Sequence, residues 1–100
     1  MESSELQHAI TIYLGATPEG GVQPIGMRAR LDAKYGHQAG VVLKQVEDVL
    51  AALDGFEPDW SHDTLESATQ RVTEQLAERF PTFPAFIHKA MANYWAFGYK

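Results

Sequence analysis

Between Leu31 and Leu53 the apolar residues fall at a spacing that leaves this chain few folds to choose from. Leu31, Tyr35, Ala39, Val42, Val46, Val49 and Leu53 follow one another at steps of 4, 4, 3, 4, 3 and 4. Steps of three and four place side chains on one helical stripe, and from Tyr35 onward they average about the 3.5-residue repeat of a packed helical seam. The register passes through Gly36 and Gly40 without a slip and predicts one long central helix over about 27–53. At 1.5 Å per residue such a helix is roughly 40 Å long. A compact chain of this length has a radius of gyration of about 13 Å, so the helix overhangs its neighbours. A second copy of the chain is the simplest cover for the overhang. The competing expectation is a helix divided at Gly36, because each glycine costs a helix about 1 kcal/mol relative to alanine. If the helix is continuous, the two glycines share a face and admit a close helix crossing.

Three further segments carry helical patterns. The first starts near Ser4, with Gln7 placed to complete a capping box, and runs through Leu6, Ala9, Ile10, Tyr13 and Leu14. Its β-branched run Ile10–Leu14 also suits a strand, but no other stretch offers that strand a neighbour. The third begins at Ser61 or Asp63, the latter with Glu66 three residues on, and buries Leu65, Ala68, Val72, Leu76 and Phe80. Arg71 is placed to reach Glu74 on its outer face. The fourth restarts after Pro81-Thr82-Phe83-Pro84 and presents Phe86, Ile87, Ala90, Met91, Tyr94 and Trp95 as one wide apolar face. Asp54-Gly55-Phe56-Glu57-Pro58 reads as the stop after the long helix. Residues 15–24, with three glycines and two prolines, read as a plain flexible connection; the Gly20-Gly21 pair lacks the spacing and the following Lys of a phosphate loop. The expected fold is all-α, a single domain over 1–100, its four helices packed as a four-helix bundle or an orthogonal helical array.

Charge is unevenly spread. Residues 25–44 hold Arg28, Arg30, Lys34 and Lys44 against Asp32, whereas residues 45–66 hold seven carboxylates and no Lys or Arg. Arg28, Arg30 and Lys34 form a candidate steering patch for a protein partner or a second copy. The formal net charge of −5 opposes nucleic-acid binding, which needs clustered cations. No apolar run approaches the length of a membrane span. With no cysteine and an acidic, unbasic start at Met1–Glu5, the expected compartment is the cytoplasm.

Catalytic chemistry finds little support in the pattern. His8, His37, His62 and His88 stand in different segments, and no pair has the i, i+3 or i+4 spacing with which one helix holds a metal. Asp59, His62, Asp63 and His88 are the weak metal candidates, and the segment 57–66 is the place for a small metal-dependent or hydrolytic enzyme if there is one. Acidic residues there also suit the positive end of a helix dipole. Ser61 beside His62 is the sole adjacent Ser–His pair, with no nucleophile elbow or dinucleotide fingerprint. No cofactor is called for.

Seven of the eleven aromatic residues lie in the last 21 positions. Tyr94, Trp95, Phe97 and Tyr99 point in too many directions for one stripe to bury them all, and aromatics that escape a core anchor interfaces. These four are the candidate partner-binding residues; the alternative is that the chain end folds back and plugs the core, since aromatics bury much area each, and a dimer would satisfy both. The expected function is a non-catalytic helical module that binds protein, as a homodimer or with a separate partner.

Overall fold

A computed structural model describes residues 3–98. Among the described residues five α-helices make up the fold: α1 (Ser3–Leu14), α2 (Met27–Tyr35), α3 (Ala39–Leu50), α4 (Leu65–Arg79) and α5 (Ala85–Phe97). The described residues contain no strand, so Ile10–Leu14 is helical despite its β-branched composition. The radius of gyration is 13.4 Å. Ala9, Ile10, Leu14, Leu31, Val46, Val72, Leu76, Ile87 and Met91 are fully enclosed, and this core takes residues from all five helices.

The long central helix is divided, and Gly36 divides it. Its backbone stands at φ 58, ψ −128, a left-handed conformation that no helix residue adopts and that side chains other than glycine resist. A 3-10 turn, Gly36–Gln38, follows before α3 begins. The unbroken apolar register reflects something other than one straight rod. Leu31, Ala39, Val42 and Val46 all reach the same core, because α2 turns back to pack on both α1 and α3. Gly40 does not support a close helix crossing: a Cβ built there, or at Gly36, meets nothing within 4 Å. After α3 the chain tightens into a second 3-10 turn, Ala51–Gly55, and leaves it extended at Phe56.

The connection at 15–24 is an ordered, docked structure rather than a loose link. Gly15, at φ 61, ends α1 in a Schellman motif, with Gly15 N–H on the Ile12 carbonyl and Ala16 N–H on the Thr11 carbonyl. Gln23 N–H closes on the Leu14 carbonyl at 2.8 Å, and Thr17 and Gly21 pair across the turn. Gly20 is buried against α5, where Asn93 donates to its carbonyl at 2.7 Å; a Cβ at Gly20 would run into the Lys89 side chain.

Thr64, one residue past Asp63, caps α4. Its hydroxyl accepts from Ser67 N–H while the Ser67 hydroxyl accepts from Thr64 N–H, a capping box with serine where glutamate was expected. Pro84 stands at the N-cap of α5, one position ahead of the first turn. Helices α4 and α5 form the most extensive helix pair, joined by a short turn in which Phe80 and Phe83 stack at 5.0 Å. Gln7 of α1 donates to the Thr82 carbonyl of that turn and joins the two halves of the molecule. No helix among the described residues is long and apolar enough to cross a membrane.

Candidate interaction surface

The three cations of the expected steering patch have three different fates. Arg30 lies half-buried, and its guanidinium donates to four backbone carbonyls, those of Ile12, Tyr13, Gln23 and Ile25. The last carbonyls of a helix lack partners within it and carry the negative end of its dipole, so a guanidinium there satisfies both hydrogen bonding and charge. With Ala16, Gly15 and Gln23 supplying the remaining bonds, every carbonyl from Thr11 to Leu14 is occupied. A side chain at Gly15 would also be tight, since a Cβ there would stand 3.0 Å from the guanidinium. Arg30 is therefore a clamp between α1, the loop and α2, and is withdrawn from the surface patch. Arg28 pairs with Asp32 one turn along α2, both of them exposed. Lys34 remains exposed at the edge of a shallow recess shared with Glu5, His8 and Tyr35.

The four candidate metal ligands do not assemble into one metal-holding group among the described residues. His88 is buried in α5, where its Nε2 lies 2.7 Å from the Phe80 carbonyl and its ring stacks near Phe83. A carbonyl only accepts, so that nitrogen carries a proton and holds down the end of α4. Asp59, His62 and Asp63 belong to the turn before α4. Asp59 accepts from Ser61 N–H and faces His62 Nδ1 at 2.9 Å, and its own N–H donates to Asp63. Asp63 pairs with Arg71 at 2.6 Å, the partner that the sequence spacing assigned to Glu74. The Arg71 hydrogen bond, then the Asp59 N–H, hold the Asp63 carboxyl below its ordinary range. Among the described residues no group of three or more His, Asp or Glu side chains is arranged to hold a metal ion. The segment is a helix entrance braced by hydrogen bonds.

The C-terminal aromatics divide between core and surface. Trp95 is 8% exposed, and its indole N–H donates to the Phe56 carbonyl at 3.2 Å, fastening α5 to the chain leaving α3. Tyr94 is half-buried, while Phe97 is 50% exposed at the end of α5. Tyr99 lies outside the described residues. Phe97 stands between two grooves and lines both of them. The first, about 690 Å³, runs between α5 and the end of α3, with Tyr13, Phe56, Tyr94 and Trp95 on its walls and Glu47, Asp54 and Glu57 along its rim. Burial, then the neighbouring Tyr94 phenol and the Glu47 carboxylate, push the Tyr13 phenol above its ordinary value, with Arg28 pulling the other way.

The second groove, about 890 Å³, lies between α4, α5 and the docked loop. Its walls are nearly neutral, with Glu66 and Lys89 as the charged residues. Thr69 and Thr73 turn their hydroxyls to the carbonyls one turn back, at 2.6 and 2.9 Å, and Asn93 is committed to Gly20. Thr69, Thr73 and Asn93 on this side are thus already paired within the fold.

Sequence reasoning reached Phe97 through the surplus of aromatics, but missed Tyr13 and Phe56. Each comes from a different segment, and neither carries a local signal; the acidic stretch after Lys44 was the only available pointer to the rim. No protein-family model, curated protein or solved structure matches the chain.

Proposed function

We propose that the chain is a non-catalytic helical module that binds protein through the end of the molecule where Phe97 separates the two grooves. The observation that supports it most is Phe97 itself: a large ring left half-exposed while its helix neighbours Trp95 and Ala96 are buried. Aromatic residues, Phe included, are enriched at protein interfaces, where a few side chains carry most of the binding energy. A homodimer, expected from an overhanging helix, loses that particular support because the helix is divided at Gly36. In this reading a second copy uses the Phe97 end, like any other partner.

The test is a photo-crosslinking amino acid placed at Phe97 and, separately, at Val41, which is 65% exposed on α3. Adducts formed in the expressing cells from position 97 but not from position 41 are the expected result, and an adduct of twice the chain mass identifies a homodimer. No adduct from position 97, with the purified chain monomeric in sedimentation, overturns the proposal.

A further inference from the structure

We infer that the groove between α3 and α5 takes the arginine side chains of a basic segment in a partner protein. This rests on the reading that the Phe97 end binds protein, and adds the chemistry of what binds. Glu47 from the end of α3, Asp54 from the 3-10 turn and Glu57 just beyond it are all exposed on the rim. Among the described residues none of their carboxylates has a hydrogen-bond or ion-pair partner, and no Lys or Arg lines the groove. Arg28 is felt at Tyr13, but its guanidinium is paired with Asp32.

The walls narrow the class of cation. Phe97, Tyr94 and Phe56 present ring surface, and the Trp95 indole N–H is already given to Phe56. Rings attract organic cations through their faces, and the wall oxygens are those of two neutral tyrosine phenols, which are poor ligands for a hard divalent metal. A guanidinium is planar and weakly hydrated; it stacks on rings and donates in pairs to carboxylates, whereas an ammonium does only part of this. Phosphates are repelled by the rim. The groove is open along its length and lies within the size range of about 300–1,000 Å³ typical of ligand sites, which suits side chains projecting from an extended segment. The net charge of −5 draws such a segment in.

The probe is an acetylated, amidated Gly-Arg-Gly-Arg-Gly peptide titrated into the full isotope-labelled chain, with lysine and glutamate counterparts. Amide shift changes should concentrate at 47–57 and 94–98, and binding should weaken as salt rises. Glu47→Gln with Asp54→Asn should lower affinity about three- to tenfold, and Phe97→Ala about two- to fivefold. Both carboxylates are exposed, and far-UV circular dichroism checks that the variants fold. Shifts centred on 59–66, an unchanged affinity in the double variant, or equal binding of the glutamate peptide would overturn the inference. Equal binding of the lysine peptide would overturn the arginine assignment. A dimer that dissociates in the double variant would place a second copy in the groove and overturn it too. A partner crosslinked through position 97 with no peptide binding leaves the protein-binding reading standing without this one. Peptide binding with no crosslinked partner does the reverse.

Discussion

At the corner between α1 and α2 one positive charge meets four backbone carbonyls; from the end of α3 onward three negative charges face solvent with no bonded partner among the described residues. The two regions stand side by side in the chain, one with a net positive and one with a net negative complement. Their difference lies in what the backbone demands of them. A helix C-terminus leaves carbonyls that need donors, and Arg30 is near enough to supply them. The end of α3 makes no such demand on Glu47, Asp54 or Glu57, because carboxylates have no donor for a carbonyl, and the backbone supplies donors there itself, as when Ala51 N–H bonds to the Glu47 carbonyl. Charge that the fold does not use is what remains for a partner.

That contrast can be broken most sharply at Arg30. Arg30→Met removes donors from four carbonyls at once and should cost about 2–4 kcal/mol, since bonds from a charged donor are worth about 1.5–3 kcal/mol and others form with water. The urea midpoint should fall with an unchanged slope. Arg30→Lys should recover less than half, because an ammonium cannot match the fork. A loss under 1 kcal/mol would place the clamp's role with the loop instead.

The acidic region also has residues tied into the fold, near α4. Thr64→Ala should cost about 1 kcal/mol through loss of the cap, read from the same denaturation midpoints. Asp63 gives a pH signature. Its folded carboxyl is held below the ordinary value, so its stabilising effect is present above the unfolded value of about 3.9 and is lost as pH falls through the folded one. Melting of the wild type should therefore converge on that of Asp63→Asn as pH is lowered from 5 towards 2. Melting curves that stay parallel would remove the Asp63–Arg71 pair from the account.

The smallest effects are expected where charge is unused. Arg28→Met, and Glu47→Gln with Asp54→Asn, should each leave stability within about 0.5 kcal/mol. A large loss from the acidic pair would mean that the rim holds the fold together and is not free for a ligand.

Helix content and the buried stripes were legible because spacing reports which side chains share a face, whatever the path of the axis between them. Leu31, Ala39, Val42 and Val46 do share a core. Spacing is silent on the axis itself, and so the turn at Gly36 had to be weighed against continuity. The Arg30 clamp was illegible for a different reason. Its partners are carbonyls, which every residue has, and which become needy only once α1 is known to end at Leu14. The groove shows both sides: Phe97 was indicated by an aromatic surplus that a single stripe cannot bury, whereas Tyr13 and Phe56 join it through packing between distant segments. His88 looked like a spare ligand until its ring was seen against the end of α4.

Trp95 and Trp60 are the chain's two tryptophans, one 8% and the other 55% exposed. The protein thus carries two intrinsic fluorophores in contrasting surroundings. Trp95 should emit at shorter wavelength and resist acrylamide, while Trp60, in the turn before α4, should emit further to the red and be quenched readily. Because Trp95 also forms a wall of the acidic groove, occupancy of that groove should alter the blue component of the emission alone, giving a label-free optical record of binding.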